Sequence, residues 1–143
     1  MHSVSESAYA AGLFDGEGYV GVNGGSHTRA HQLCVIIAMS DPQPVQAMCD
    51  WYGGHINNKR LRPHQRRLLY EWRISGREAL EYLTDILPYT MAKKAQISKA
   101  LEFPYEGSSF TFDKGRLLPL GVHTKRQEVK ESLAALKRAN IYV

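Results

Sequence analysis

No apolar run in this 143-residue sequence approaches the roughly 20 residues needed to cross a bilayer, so nothing in it reads as a membrane-spanning helix. The opening stretch from Met1 to Glu6 is polar and lacks the basic-then-apolar layout of a secretory signal. An intracellular protein is the expectation. Cysteine is scarce, and Cys34 and Cys49 show neither CxxC spacing nor histidine partners at zinc-finger spacing. Both stand in apolar stretches and read as small core residues rather than as metal ligands or a disulfide. There is no internal repeat and no low-complexity tract. A hydrophobic content of 43% against 22% charged residues argues against wholesale disorder, and the length suits one domain.

What the chain has is uneven charge. Between Lys59 and Arg73 stand Lys59, Arg60, Arg62, Arg66, Arg67 and Arg73 against Glu71 alone, a local net charge of +5 where the whole chain carries +4. Such concentration suits a polyanion, because each phosphate neutralised releases counterions. A basic but merely solvated loop accounts for the charge equally well.

Ser3 and Glu6 have the spacing of a capping box, which predicts a helix through Phe14 that Gly16 and Gly18 break. Tyr19–Asn23 alternates as a strand, Gly24-Gly25-Ser26 supplies a turn, and a second strand covers 31–39. Ser40-Asp41-Pro42 opens a helix to Trp51, and Tyr52-Gly53-Gly54 ends it. A third strand covers 55–59 and leads into the basic stretch around Pro63. In the fourth, 68–75, Leu68, Tyr70, Trp72 and Ile74 share one face, and Leu69, Glu71, Arg73 and Ser75 the other. Helices follow from Gly76 to before Pro88 and over 91–103. A loop or linker spans 104–121, and a last helix covers 124–140 with Val129, Leu133 and Leu136 at helical spacing. The fold class predicted is α+β, in the order αββαββα, with an antiparallel four-stranded saddle sheet covered by helices on one face and open, polar and basic on the other. Residues 1–103 form the core, and 104–143 a loop and C-terminal helix packed on it.

The most informative segment runs Ala10-Ala11-Gly12-Leu13-Phe14-Asp15-Gly16-Glu17-Gly18. Ala8, Ala11 and Gly12 lie at i, i+3 and i+4, a small-residue face on which two helix backbones can approach closely, or which can pack on the chain's own sheet. Two copies packed through it bring two Glu17 carboxylates together. Paired carboxylates repel unless a cation intervenes, and Mg²⁺ held by carboxylate, water and phosphate oxygens meets that need.

This segment resembles the LAGLIDADG motif of homing endonucleases. The resemblance extends over roughly residues 5–103, through the Trp-containing strand ending in Ser75-Gly76 and Pro88-Tyr89 followed by Lys93-Lys94-Ala95-Gln96. Ala10 at the first motif position and Glu17 at the last acidic one depart from the pattern mildly. The resemblance implies a Mg²⁺-dependent endonuclease that cuts double-stranded DNA at a pseudo-palindromic site as a homodimer. It implies Glu17 as the metal-binding carboxylate, joined by the Gly16 carbonyl, and Asp15 as a structural acid at the helix end beside the Ala8/Ala11/Gly12 interface. Lys93 matches a basic residue that stabilises charge or orients water, although a lysine there is ordinarily just surface. Asp41 matches a polar active-site position in some relatives and could equally cap its own helix.

Strand alternation adds candidates for DNA contact. With Val20 and Val22 toward the helices, Tyr19, Gly21 and Asn23 face the DNA, and the same reasoning nominates Gln32, Asn57, Lys59, Arg67, Glu71 and Arg73, with Arg66 from the basic stretch. The alternative function is a nucleic-acid-binding maturase or regulator built on the same fold without cleavage. Retention of Glu17 favours the enzyme. An intein-embedded nuclease finds no support, since no splicing-type Cys or His-Asn flanks the segment.

Overall fold

The computed structural model describes residues 2–25, 30–59, 68–104 and 120–141, with only the backbone of residues 59, 120, 140 and 141. The chain begins with helix α1 (Val4–Glu17), followed by strands β1 (Gly18–Asn23) and β2 (Gln32–Met39) and helix α2 (Pro42–Tyr52). Strands β3 (His55–Lys59) and β4 (Leu69–Ser75) lead into α3 (Gly76–Ile86), a 3₁₀ turn (Leu87–Tyr89), α4 (Lys94–Ala100) and a C-terminal helix α5 (Leu120–Ile141). The strands form one antiparallel sheet in the order β1-β2-β4-β3.

Local chemistry accounts for most boundaries. The capping box at α1 is complete: Ser3 Oγ accepts from the Glu6 amide and Glu6 Oε1 accepts from the Ser3 amide, both at 3.1 Å. Asp41 caps α2, its carboxylate accepting from the Gln43 amide at 2.9 Å. Gly53 and Gly54 both take positive φ, 83° and 84°, to turn α2 into β3. A Cβ at Gly54 would lie 2.5 Å from the Arg73 carbonyl oxygen, so that turn needs glycine for its space as well.

Three expectations need correction. α1 does not break at Gly16 but runs through it to Glu17. Glycine lowers helix propensity by only about 1 kcal/mol, which packing of the rest of the helix outweighs. α4 is shorter than the predicted 91–103, because the amides of Met91 and Lys93 are drawn to the Asp15 carboxylate instead of opening a helix. The last helix starts earlier than predicted, at Leu120. The basic stretch from Arg60 to Arg67, including Arg66 and Arg67, and residues 105–119 of the expected linker lie outside the described residues.

The core lies between one sheet face and the helices. Val20 and Val22 of β1, Leu33, Val35 and Ile37 of β2, and Trp72 and Ile74 of β4 meet Ala10, Ala11 and Phe14 of α1, Val45 and Met48 of α2, and Leu83 and Ile86 of α3. Trp72 is the keystone: its Nε1 donates to the Gly53 carbonyl at 2.8 Å, and its ring stacks edge-on against Tyr82 at 5.1 Å. Trp72→Ala is expected to cost about 3–5 kcal/mol, measurable as a fall in the denaturant midpoint with little change of slope. A loss under about 1 kcal/mol would contradict this packing. Asp85 of α3 ties the helices together, accepting from Ser7 Oγ of α1 at 2.8 Å and from the Tyr52 hydroxyl of α2 at 2.6 Å. Burial, helped by Asp85, pushes the Tyr52 hydroxyl well above its usual pKa, so it remains a donor.

Candidate active site and nucleic-acid interface

The acidic end of α1 is organised by residues far along the chain. Asp15 accepts from the backbone amides of Met91 at 2.7 Å and Lys93 at 3.1 Å, so its carboxylate anchors the turn before α4. The Lys93 ammonium donates to the carbonyls of Phe14, which also accepts from the Gly18 amide at the end of α1, and of Gly18, at the start of β1. Burial lowers the Lys93 pKa, while the nearby charges of Asp15 and Glu17 raise it. Phe14 packs so closely on the start of β1 that a Cβ at Gly18 would lie 2.2 Å from its ring. Gly18 is thus fixed by packing within the chain.

Glu17 differs from Asp15. It is exposed at the last residue of α1, and its carboxylate has no hydrogen-bond or ion-pair partner among the described residues. The outward glycines differ from Gly18 as well. A Cβ at Gly12 or at Gly16 would meet nothing within 4 Å. Neither has positive φ. No requirement within the described chain explains glycine at these two positions.

The small-residue face divides in the structure. Ala8 and Gly12 are exposed, but Ala11 is 0% exposed and belongs to the chain's own core with Ser7, Ala10 and Phe14. Ala11 is therefore removed from any contact surface. Besides Glu17, the residues exposed on α1 are Val4, Ser5, Ala8, Tyr9, Gly12 and Gly16, with Tyr9 edge-on to Trp51 at 6.0 Å. Asp15 is turned to the 90–93 turn rather than outward. Asp41 stands exposed beyond the end of β2, engaged as a helix cap.

Strand register decides which candidates share a face. Tyr19 is opposite Ile36, Gly21 opposite Cys34 and Asn23 opposite Gln32; Ile36 in turn pairs with Arg73, and Cys34 with Ser75. Across to the far edge, Arg73 pairs with His55, Glu71 with Asn57 and Leu69 with Lys59. Directly paired residues project on the same side. Tyr19, Asn23, Gln32, Asn57, Glu71 and Arg73 thus occupy one face, opposite the helices, and the backbone register puts Lys59 at the same parity. His55 and Ser75 join them and were legible from the same alternation but not singled out.

That face is less open than strand periodicity suggests. Cys34 is 2% exposed and Glu71 7%. Glu71 sits on an inner strand and accepts from Arg73 Nη2 at 3.2 Å, so it orients Arg73 and offers little surface of its own. Asn23 Nδ2 lies 3.2 Å from Cys34 Sγ, and Gln32 Nε2 donates to Ser75 Oγ at 3.3 Å. Tyr19 lies across Gly21, where a Cβ would come 2.3 Å from the Tyr19 hydroxyl. Lys137 of α5, which strand reasoning could not find, stands 3.8 Å from the Tyr19 ring centroid.

The donor set at the end of α1 fits a hard divalent cation as half a site. It offers one exposed carboxylate, adjacent backbone carbonyls and the negative end of a helix dipole, and no soft ligands. Among the described residues no group of three or more His, Cys, Asp or Glu could hold an ion alone. A second source of oxygen ligands is needed.

No family model matches the sequence, and no curated protein matches it either. Solved structures do match. The homing endonuclease I-CvuI, in complex with the I-CreI target in 2 mM Mg with the DNA not cleaved, is similar at a TM-score of 0.70 and 18% identity, over 92% of this chain and 82% of that one. The archaeal intron-encoded homing endonuclease I-Vdi141I, complexed with DNA, is similar at 0.68 and 15% identity, over 92% and 83%. The LAGLIDADG meganuclease I-AabMI, bound to uncleaved DNA, is similar at 0.56 and 20% identity, but only 43% of that chain is covered. The chain has the fold of LAGLIDADG homing endonucleases. Among the described residues no helix is long and apolar enough to cross a membrane.

Proposed function

We propose that the chain is a sequence-specific, Mg²⁺-dependent DNA endonuclease of the homing type, acting inside the cell as a homodimer on a pseudo-palindromic duplex site. The observation that carries this reading is the pairing of an exposed Glu17, without a hydrogen-bond or ion-pair partner among the described residues, with outward glycines, Gly12 and Gly16, on the same helix. The solved neighbours supply support: I-CvuI and I-Vdi141I are homing endonucleases crystallised with DNA, the former in Mg and also in Ca. Apposition of two α1 helices through Ala8, Gly12 and Gly16 would bring the Glu17 carboxylates of two copies together, each with the Gly16 carbonyl beside it. A divalent ion held there would neutralise phosphate charge and lower the pKa of water for attack on phosphorus. Lys93 would steady the acidic turn through the Phe14 and Gly18 carbonyls and place positive charge beside the scissile phosphate.

DNA would lie on the sheet face that carries Tyr19, Asn23, Gln32, Asn57, Lys59 and Arg73. Arg73, with one Nη2–H occupied by Glu71, keeps further donors for a guanine edge. Asp41, already a cap, would act in positioning. The direct test is incubation of the protein and Mg²⁺ with randomised duplexes, followed by sequencing of the ends. Ends that converge on one two-fold-related site are expected. A protein that enriches a site and never cuts it would overturn the enzymatic reading in favour of a binding protein.

The basic stretch would meet phosphates rather than bases. Charge reversal at Arg66 and Arg67 is expected to weaken binding equally on all duplex sequences and to lower the slope of log affinity against log salt by about two. An unchanged slope would return that stretch to a solvated loop.

A further inference from the structure

The outer edge of β1 is lined by lysines. An edge strand turns every second carbonyl away from its one neighbour, toward solvent or whatever covers it. Two such carbonyls, those of Gly18 and Val20, and that of Gly24 just beyond the end of β1, accept from the ammoniums of Lys93, Lys137 and Lys130 respectively. The last two come from α5, which packs along this edge with Val129 and Leu133 turned into the core. Lys130 and Lys137 are seven residues apart, two helical turns, and so share one side of α5. Their separation along the axis is about 10 Å, the rise of about three nucleotides of one DNA strand.

Among the described residues their charge is not neutralised. Lys125 of the same helix is held by Glu102 at 2.9 Å and by Glu128 at 3.3 Å, and Lys99 by Glu102 at 3.1 Å. Lys130 and Lys137 have no carboxylate within ion-pairing distance among the described residues, only a backbone carbonyl each. Burial lowers the Lys137 pKa, with Cys34 opposing the shift and the Lys93 charge adding to it. An ammonium has three N–H donors, so one carbonyl leaves capacity for an anion. Lys137 also lies over the Tyr19 ring, at the border of the open sheet face, so the row runs beside that face.

We propose that Lys130 and Lys137, continuing the line begun by Lys93, form a phosphate track for one strand of duplex DNA along the outer edge of β1. The C-terminal helix is then part of the DNA-binding surface and not only a cover for an exposed strand edge. This rests on the endonuclease reading above and adds to it a second backbone contact, apart from the basic stretch at 59–67.

The test compares the full-length parent with Lys130→Met/Lys137→Met, which keeps the apolar stems, and Lys130→Arg/Lys137→Arg, which keeps the charge. The probe is a mixed-sequence duplex in Ca²⁺, titrated between about 50 and 200 mM salt. The Met pair is expected to lower the slope of log affinity against log salt by about 1.8, near 0.9 per lysine, while the Arg pair retains the parent slope. A Met pair that melts earlier yet keeps the parent slope would show simple capping of the strand edge and overturn the track. An Arg pair that loses slope as the Met pair does would also overturn it, since charge would not be the cause. Should the Met pair fail to fold, Lys130→Met alone is read the same way, with a shift of about 0.9 expected and none overturning. A parent that binds no duplex at all overturns the endonuclease reading itself; a parent that binds and cuts, with variant slopes unchanged, overturns only the track.

Discussion

Glu17→Gln is expected to yield a protein that folds and binds DNA but cleaves it at least about a hundredfold more slowly. The Glu17 side chain is exposed and makes no hydrogen bond or ion pair among the described residues, so loss of its charge should change stability by no more than about 0.5 kcal/mol. Its effect falls on the reaction. A hard cation held at the end of α1, as proposed, would depend on this carboxylate, since the neighbouring Asp15 is engaged by the amides of Met91 and Lys93. Loss of several kcal/mol of charge stabilisation, at about 1.4 kcal/mol per tenfold, corresponds to two to three orders of magnitude in rate. Binding would be measured in Ca²⁺ and cleavage in Mg²⁺ on one substrate. Binding should hold or tighten, because two carboxylates no longer repel each other and the phosphates. Undiminished cleavage by the Gln variant would sink the assignment of Glu17 to the metal.

The second large effect is expected from Gly12→Leu. Within the described chain this position is open, since a Cβ there meets nothing within 4 Å, and the backbone is helical. Leu in place of Gly improves helix propensity by roughly 0.8–1 kcal/mol, so the isolated chain should be no less stable and could melt slightly higher. Between two close-packed helices the same side chain overpacks, at about 1–3 kcal/mol for each copy, and two-fold symmetry doubles the cost. The dimer constant is then expected to weaken by roughly thirtyfold to ten-thousandfold, and cleavage with it. Sedimentation of parent and variant at matched concentrations, with melting curves beside it, separates assembly from folding. A variant that sediments as the parent does, or a parent monomeric even on DNA, would remove the paired-helix arrangement. Ala11→Leu is no substitute for this test, because Ala11 is fully buried and the change would disturb the core.

Much of the architecture was legible from local pattern. The Ser3–Glu6 capping box, the strict alternation around Trp72 and the helix start at Asp41-Pro42 each reflect bonds or burial within a few residues, and each is present in the fold. Alternation also placed Tyr19, Asn23, Gln32, Asn57, Lys59, Glu71 and Arg73 on a single sheet face, because a pleated strand has only two faces and the valines and Trp72 had claimed one. By itself, then, the sequence determined the order of elements, the inner face of each strand and the motif at the end of α1.

Only the tertiary structure decided what each motif residue does. A spacing of i, i+3 and i+4 spans an arc of helix wide enough to straddle core and surface, so it could not tell that Ala11 turns inward while Ala8 and Gly12 remain outside. Asp15 and Glu17 look equivalent in the sequence. They part because residues 91–93, some 75 positions later, bring two amides to Asp15, while Glu17 has no hydrogen-bond or ion-pair partner among the described residues. The burial of Glu71 follows from its place on an inner strand, beside Arg73, and the position of Lys137 against Tyr19 from the docking of α5 on an edge more than 100 residues earlier in the chain. Periodicity records which side of an element is apolar. It carries no information about which distant element meets that side, and the chemistry of this site is made from those distant meetings.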